Sequence, residues 1–276
     1  MAELPEIETL RRELEREVVG KKVKSVEVSN DKVLDGVSVS GLTEALDGAK
    51  FASLKRVALL LVMTLDNEKL LVFDLADGGF LRRNATKDKV EDETAVVITF
   101  TQGGQLRVLT GVGMPKVQIM EVDGLLDGRP ELNDLGDDVV ESPLSWTAFA
   151  QKLLTQTATL RQLLADDTFI VGISDVYADE ILHASLLMYD RTPDTLSSQE
   201  IRRLYRSVVE ILHDAMKHRG TTIDGRDFLD LHGEKGGYGE YLQVHGRAGD
   251  RSANGRGTVQ RKKIGGTFVY FADYQV

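Results

Sequence analysis

The residues best suited to chemistry stand at the start of the chain, where Ala2 and Glu3 follow the initiator methionine. A small second residue permits removal of Met1, which would leave Ala2 with a free α-amine beside the Glu3 carboxylate. An α-amine titrates near pH ~8, so a useful fraction is an unprotonated nucleophile at neutral pH. A neighbouring carboxylate can move protons, and the pair therefore predicts a Schiff-base site. The alternative is an ordinary N-terminal helix with a frayed lead-in, and spacing alone favours that alternative.

An amphipathic helix follows directly and would hold this terminus in place. Pro5 suits its first turn, where a missing N–H costs nothing, and Glu6 and Glu8 lie at the positive end of the helix dipole. Gly20 is a natural C-cap. The apolar face of this helix consists of Ile7, Leu10, Leu14 and Val18.

Composition excludes several classes of protein. The chain has 276 residues, enough for two domains, and its 42% hydrophobic content is sufficient to bury a core. It contains no cysteine, which excludes disulfides, thiolate nucleophiles and cysteine zinc sites. Because there is no signal peptide or long apolar run, we expect a soluble, cytoplasmic protein without membrane contact. The net charge of −10 allows one basic face but counts against tight, nonspecific DNA binding.

The pattern of apolar residues predicts an α+β, multidomain chain. Several short strands after one helix indicate a β-sandwich, and an acidic, turn-rich stretch from Glu131 to Pro143 marks the boundary after it. The predicted strands are Lys24–Val28, Leu59–Leu65, Lys69–Leu75, Ala95–Thr101 and Leu106–Leu109. The predicted organisation is a sandwich domain of residues 1–130, a linker of 131–145, a helical domain of 146–240 and a β-hairpin of 241–276.

The second half switches to helical periodicity. A capping box at Ser197-Ser-Gln-Glu200 begins a long helix that ends near Gly220, where a glycine-rich loop starts. The five histidines show no metal-binding spacing, so neither a metal nor another cofactor is expected. The remaining predicted elements are helices over 146–154, 160–164 and 176–188, and hairpin strands over 243–246 and 266–274.

Two motifs resemble the formamidopyrimidine-DNA glycosylase and endonuclease VIII family. The run Ala2-Glu3-Leu4-Pro5-Glu6-Ile7-Glu8 is similar to the family's opening Pro-Glu-Leu-Pro-Glu-Val-Glu. Residues Val171-Gly-Ile-Ser-Asp-Val-Tyr-Ala-Asp-Glu-Ile-Leu182 are similar to its Gly-Ile-Gly-Asn-Ile-Tyr-Ala-Asp-Glu-Ile-Leu. The resemblance covers the whole chain and implies an N-terminal helix, a β-sandwich, a helix–two-turn–helix motif and a terminal finger.

The resemblance also implies roles for the first residues. In that family an N-terminal proline amine attacks the sugar C1′ of a damaged nucleotide, and the following glutamate assists. Ala2 would accordingly be the nucleophile, with a primary amine in place of the proline, Glu3 the proton shuttle and Glu6 a positioning carboxylate.

Departures from the family pattern fall where the family touches DNA. Ala58 replaces a lysine that meets the lesion-site phosphate, and Asp77 replaces a methionine wedge that fills the void left by the extruded base. The run Gly111-Val-Gly-Met-Pro-Lys116 replaces a loop that supplies an arginine and a phenylalanine, which leaves Met114 or Pro115 as an apolar wedge.

In the second half, the resemblance places Ser174, Asp175 and Tyr177 in the turn and helix start that bind a backbone phosphate. Asp175 replaces an asparagine donor, and a carboxylate has no hydrogen to offer an anion. A helix start capped by Ser174 or Asp175 is the plainer interpretation of the same residues.

The terminal finger of the family binds zinc through two cysteine pairs, which are replaced here by Ser252 with Gly255 and by Phe271 with Tyr274. A zincless finger is therefore implied, with its two aromatic residues as a small apolar core. Basic residues concentrate in the hairpin, either as nucleic-acid contacts or as a solvated edge that avoids aggregation. They are Arg251, Arg256, Arg261, Lys262 and Lys263.

Two functions remain open from the sequence. The first is a DNA glycosylase with AP lyase activity in base excision repair, which acts as a monomer on duplex DNA with a damaged or abasic nucleotide and binds it more weakly than is usual for the family. The second is a non-catalytic relative that uses the same scaffold to bind nucleic acid, structured RNA included, or a protein partner. The retained Glu3 and Glu6 favour the enzyme, whereas the missing phosphate contacts favour the second function.

Overall fold

The structure is a computed structural model of the chain, and it describes residues 2–252, 255 and 257–276. The described residues form two compact units. The first comprises the chain up to Asn133 together with His218–Gly237, and the second comprises Asp134–Lys217 with Tyr238–Val276. No helix among these residues combines the length and the apolar composition that crossing a membrane requires.

The first unit is the β-sandwich that the sequence predicts. In chain order its elements are α1 (Leu4–Glu17), β1 (Val23–Val28), α2 (Val39–Leu46), β2 (Phe51–Val57), β3 (Leu60–Leu65), β4 (Lys69–Asp74), β5 (Phe80–Asn84), β6 (Thr94–Phe100), β7 (Gln105–Leu109), β8 (Lys116–Glu121) and α3 (Leu125–Gly128). The two antiparallel sheets have the strand orders β1-β6-β7-β5 and β2-β3-β4-β8. Both sheets contribute to one continuous apolar core, in which Phe51, Phe73 and Ile98 are fully buried.

Helix α1 forms as the sequence predicts and packs on strands β2 and β3. Pro5 occupies its first turn, and Glu6 accepts a hydrogen bond from the Glu3 N–H at 2.9 Å. Gly20, beyond the helix end, adopts a positive φ of 86° and donates its N–H to the Phe51 carbonyl at 2.7 Å. The four residues of its apolar face are all buried, and they are Ile7, Leu10, Leu14 and Val18.

Several elements of this unit escape the sequence analysis, among them α2, β2, β5 and β8. Strand β2 carries a bulge between Phe51 and Ser53, which shifts its register against β3. The bulge interrupts the apolar alternation by which a half-buried strand is identified. The segment His218–Gly237 also differs from the predicted limits, which include it in the helical domain of 146–240, because its Phe228 and Leu231 lie in the core of the first unit.

The second unit is helical and ends in a β-hairpin. Its elements are α4 (Trp146–Leu154), α5 (Leu160–Leu164), α6 (Asp175–Ala184), α7 (Ser198–Lys217), β9 (Val259–Ile264) and β10 (Thr267–Ala272). The predicted capping box is confirmed, because Glu200 accepts the Ser197 N–H at 2.7 Å and donates its own N–H to the Ser197 hydroxyl at 3.3 Å. Helix α6 ends at Ala184 rather than at the predicted residue 188, since Leu186 has a left-handed backbone with φ of 58°.

The first hairpin strand differs from the prediction. Residues 243–246 form no strand, because the buried Glu180 carboxylate of α6 accepts the N–H groups of Gln243, Val244 and His245 at 2.8 to 2.9 Å. Those donors are unavailable to a β-ladder. The hairpin instead pairs β9 with β10, so that Ile264 lies opposite Thr267 and Val259 opposite Ala272.

Candidate active site and nucleic-acid interface

The first unit positions Ala2, Glu3 and Glu6 together at the start of α1. Ala2 is half-buried and packs against the sandwich core, while Glu3 and Glu6 are 5% and 2% exposed. The Glu6 carboxylate bridges two chain segments, since Oε2 accepts the Glu3 N–H at 2.9 Å and Oε1 accepts the Thr221 N–H at 2.7 Å. One buried charge therefore fixes the backbone beside Ala2 against the loop that begins at Gly220.

Gly220 makes this approach possible. Its φ is +84°, and a Cβ added there would lie 2.9 Å from both Cγ and Oε1 of Glu6. Any side chain at this position would both strain the backbone and displace the carboxylate. The glycine that the sequence analysis assigns to a loop start is thus required by the geometry around Glu6.

The rest of the segment His218–Gly237 is anchored on α1 by a second buried carboxylate. Glu13 accepts the Leu231 N–H at 3.0 Å and pairs with Arg219 at 2.6 Å. Arg219 also pairs with Asp230, which accepts the N–H groups of two residues that follow it. The loop is therefore held at both ends of its path along α1.

A cluster of arginines surrounds Glu8 on the same helix. Arg56 of β2 donates from Nε to Glu8 at 3.2 Å, and Arg11 and Arg12 contact the same carboxylate at 2.8 to 3.0 Å. Burial works to raise the pKa of Glu8, but the hydrogen bonds and charges of these arginines lower it overall. Arg56 also donates from Nη1 to the Ala58 carbonyl at 2.9 Å, within a turn where Ala58 has a φ of +53°. Ala58, at the position where the family has a lysine, therefore presents a methyl group in place of a cation, on a turn that Arg56 holds.

The loops around Asp77 and Met114 are in direct contact. A Cβ added at Gly113 would overlap the Asp77 carbonyl oxygen, and one added at Gly79 would lie 2.5 Å from Cδ of Pro115. Pro115 is buried by this contact and has no surface to act as the wedge that the sequence suggested, whereas Met114 is 36% exposed and Val112 is fully exposed. The exposed Asp77 carboxylate lies 3.5 Å from Nζ of Lys116, which offsets its charge.

In the second unit, Asp175 begins α6 after the N-cap residue Ser174, and Arg161 of α5 neutralises it. Arg161 donates from Nη2 to Asp175 and from Nε to the fully buried Asp179, both at 2.9 Å. Burial works to lower the pKa of Arg161, but the two aspartates raise it overall. Tyr177 lies in the core, 1% exposed and with its ring 6.0 Å from that of Tyr238, so it supports the helix rather than presenting a surface.

The basic hairpin residues that the structure describes are exposed on β9 and before it. Arg261 stacks over the Phe268 ring at 4.8 Å, and Nζ of Lys262 lies 5.8 Å from the Tyr189 ring. Lys263 is exposed beside them, and Arg251 donates to the Gly255 carbonyl at 3.2 Å. Arg256 lies outside the described residues.

The positions that correspond to the zinc ligands of the family do not fit a metal. Ser252 is buried and donates its N–H to the Gly257 carbonyl at 2.9 Å, and Gly255 has no side chain. Phe271 packs against Tyr189 at 5.1 Å, whereas the Tyr274 hydroxyl is bonded to Nε2 of His183 at 2.7 Å. Tyr274 joins the small apolar cluster of the finger, while Phe271 contacts the helical part of the unit instead. In the described parts of the chain, no three histidine, aspartate or glutamate side chains converge on a possible metal position.

A glutamine holds the hairpin to the rest of the second unit. Gln275 is 6% exposed, accepts the Ala272 N–H and donates to the Leu187 carbonyl, both at 2.7 Å. Val276 continues this attachment by donating its N–H to the Leu186 carbonyl at 3.1 Å and accepting the Met188 N–H at 2.9 Å.

The sequence analysis assigns no contact to Thr221 or to Arg161. Thr221 binds Glu6 through its backbone N–H, for which no side-chain type is a signal. Arg161 is the partner of Asp175, and its separation of 14 residues from that aspartate corresponds to no local pairing rule.

Comparison with known proteins gives consistent matches over nearly the whole chain. The family model described as the formamidopyrimidine-DNA glycosylase N-terminal domain matches residues 1–110, and the model of the H2TH domain of the same enzyme matches residues 135–227. A formamidopyrimidine-DNA glycosylase from Pelotomaculum thermopropionicum is 32% identical over 98% of this chain and 97% of its own length. Another from Heliobacterium modesticaldum is 31% identical over 98% of both chains. A crystal structure of Lactococcus lactis Fpg in complex with an abasic site containing DNA covers 98% of each chain at 25% identity, with a TM-score of 0.86.

Proposed function

The chain belongs to the formamidopyrimidine-DNA glycosylase family of base excision repair, and we propose that it cleaves damaged nucleotides through a Schiff base on the α-amine of Ala2. The observation that carries this proposal is the buried Glu6 bridge between the Glu3 and Thr221 N–H groups. The bridge fixes the residue next to the amine on a rigid helix, and fixed geometry is what a nucleophile requires.

The proposed chemistry has two stages. The unprotonated Ala2 amine forms a bond to C1′ as the bond from C1′ to the damaged base breaks, and the base leaves with that electron pair and a proton. Ring opening then yields a Schiff base between the Ala2 nitrogen and C1′. Loss of a proton from C2′ and departure of the 3′ phosphate complete the β-elimination, and water releases the sugar fragment from Ala2.

A primary amine makes the carboxylate beside it more important. A Schiff base on proline is always a cation, whereas one on alanine withdraws electrons strongly only while its nitrogen remains protonated. Glu3 is the carboxylate nearest to Ala2 in sequence. We assign to Glu3 the transfer of protons to and from the Schiff-base nitrogen.

The DNA partner is proposed from the solved Lactococcus lactis relative, whose structure contains DNA with an abasic site. Two acidic residues at expected contact positions are in ion pairs, Asp77 with Lys116 and Asp175 with Arg161. Each pair occupies a cation that could otherwise contact a DNA phosphate. The same pairing offsets the negative charge of the aspartate. We propose weaker binding than that of the relatives, with the salt dependence carried mainly by the basic hairpin.

Substitution of the hairpin lysines measures this contribution. In the double variant Lys262→Gln and Lys263→Gln, the slope of log K against log salt should fall by about 0.9 for each lost phosphate contact. A matched double variant, Lys24→Gln with Lys32→Gln, should leave the slope unchanged. If the slope of log K against log salt is unchanged in the hairpin variant, or falls but stays steep, the proposal is contradicted.

The test of the nucleophile is borohydride trapping on DNA that contains an abasic site. Reduction converts a Schiff base into a stable covalent adduct, and intact-mass spectrometry must first show whether the mature chain begins at Ala2. We expect an adduct with the parent chain and none when one residue is added before Ala2. Glu3→Gln should slow adduct formation and strand cleavage, while Glu15→Gln, an exposed position of the same helix, should change neither.

The outcomes separate the two functions left open by the sequence. An adduct that the extension abolishes supports the enzyme and assigns Ala2. A retained Met1 or a blocked terminus removes the proposed nucleophile. A chain with a free Ala2 that forms no adduct and binds the DNA weakly would instead be a non-catalytic relative, for which the missing cation at Ala58 is the favouring observation.

A further inference from the structure

The far end of the β9–β10 hairpin carries apolar side chains that are left in solvent. At the root of the hairpin, Val259 and Ala272 are buried in the small apolar cluster of the finger. At its far end, Ile264 is 40% exposed and Phe268 is 42% exposed. Because burial decreases along both strands from the root, the hairpin projects from the second unit.

The turn that ends the hairpin has no side chain. Gly265 and Gly266 have φ of +57° and +97°, and a Cβ added at either glycine would meet nothing within 4 Å. Two consecutive positive φ values are typical of the type I′ turn, which continues the twist of its strands. The outermost side chains therefore belong to the two cross-strand pairs next to this turn. They are Ile264 with Thr267 and Lys263 with Phe268.

Phe268 is held in place by a cation, while much of its ring stays open. Opposite residues of two paired strands share a face, and so do their diagonal neighbours, so Phe268 lies on the same face as Lys263 and Arg261. The Arg261 guanidinium lies over the Phe268 ring, 4.8 Å from its centroid. One face of the ring is thus covered, and the opposite face remains as a flat apolar surface.

The charge of the hairpin indicates which partner this apolar end fits. Residues 251–272 contain five cationic side chains and no aspartate or glutamate, although the whole chain has a net charge of −10. Proteins combine cations with exposed aromatic rings where they contact the backbone of a nucleic acid and stack on its bases. In duplex DNA, apolar side chains can enter between base steps while lysine and arginine contact the neighbouring phosphates.

We propose that Phe268 stacks on a base next to an abasic site in duplex DNA, and that this contact favours abasic DNA over intact DNA. In an intact duplex, both faces of an internal base are already stacked, so the ring can enter only after unstacking. A missing base leaves one face of each neighbouring base open, which removes that cost. The inference rests on the DNA partner proposed above, and it gives the hairpin a part in substrate selection in addition to its charge.

Binding to duplex DNA that contains tetrahydrofuran, a stable abasic analogue, tests the proposal beside an intact duplex of the same sequence. The analogue has no aldehyde and forms no Schiff base, so the measurement does not depend on the chemistry of Ala2. Phe268→Ala should weaken binding to the analogue by about 5- to 150-fold, the effect of stacking on one base. It should weaken binding to the intact duplex by no more than about twofold, so that the preference for the abasic analogue is largely lost.

Matched variants separate the ring from the fold of the hairpin. Phe268→Tyr keeps the ring and should keep the preference, whereas Phe268→Leu keeps only apolar bulk and should lose most of it. Val209→Ala, at an exposed apolar position of α7, should change neither affinity. The slope of log K against log salt should be unchanged in Phe268→Ala, because no charge is removed. A collapsed hairpin would displace its cations and flatten that slope.

Three results would overturn the proposal: a parent chain that shows no preference for the analogue, a preference that survives in Phe268→Ala, and a lost preference that Phe268→Tyr does not retain. A surviving preference would assign the exposed ring to another partner, such as a protein. Borohydride trapping at saturating protein keeps this inference distinct from the proposed function. A preference that depends on Phe268 in a chain that forms no adduct would refute the Ala2 mechanism alone.

Discussion

Glu6→Gln is the substitution that most directly tests the arrangement around Ala2. The parent carboxylate accepts two N–H groups, from Glu3 at 2.9 Å and Thr221 at 2.7 Å. A glutamine keeps one oxygen and turns an NH₂ group toward the second donor. One buried N–H is then unpaired, at a cost of about 1–3 kcal/mol, and the remaining bond loses the strengthening of a charge, about 1 kcal/mol. The expected loss of stability of the first unit is therefore about 2–4 kcal/mol.

Hydrogen exchange is the suitable measurement, because the single tryptophan, Trp146, lies in the second unit and does not report on the first. The Thr221 amide should exchange about 30- to 1,000-fold faster in Glu6→Gln, which corresponds to that range of free energy. Glu15→Gln is the matched control on an exposed part of α1, and it should change stability by no more than about 0.5 kcal/mol. Unchanged protection of Thr221, or an equal loss in the control, would refute the bridge.

Further predictions concern the finger, the pH dependence and the metal content. Gln275→Leu leaves the buried Ala272 N–H and Leu187 carbonyl unpaired and should destabilise the second unit by about 2–4 kcal/mol in denaturant melts followed by Trp146 fluorescence, whereas Gln260→Leu on β9 should have little effect. The pKa of Glu8 is below its ordinary 4.5 in the folded chain, so its contribution is complete above pH 4.5 and is lost as pH falls toward the lowered value; Glu8→Gln should flatten the acid limb of the stability curve. Elemental analysis should find no stoichiometric zinc, and a full equivalent would contradict the assignment of the finger.

Local patterns in the sequence predict much of the fold because their causes are local. The buried face of α1 follows from a spacing of three or four residues, and the start of α7 follows from Ser197 and Glu200, which bind each other directly. Strands β3 and β4 are recognised as apolar runs between turns. The positions of Ala2, Glu3 and Glu6 relative to one another likewise follow from the first turn of one helix.

Contacts between distant residues account for what the sequence analysis misses. Glu180 takes the N–H groups of residues more than 60 positions away, and nothing near Gln243 reveals that its donors are already used. The same holds for Thr221, whose partner Glu6 is 215 residues distant, and for Asp175, whose negative charge is matched by an arginine on another helix. The sequence shows that Asp175 cannot make the hydrogen bond of the family's asparagine. Only the three-dimensional structure shows that the aspartate pairs with Arg161 instead.

The contact between Gly113 and the Asp77 carbonyl couples two loops of the sandwich, so that a substitution in one loop requires a change in the other. With no space for a Cβ, position 113 should accept glycine alone in a saturation library, although Val112 beside it is fully exposed and should accept almost any residue. A larger residue at position 113 would clash with the backbone at Asp77 and Gly78, and the clash is relieved only if that backbone moves away. Second-site substitutions that restore folding should therefore appear in residues 77–79 rather than near position 113. Over evolutionary time, the sequences and lengths of the two loops are then expected to change together.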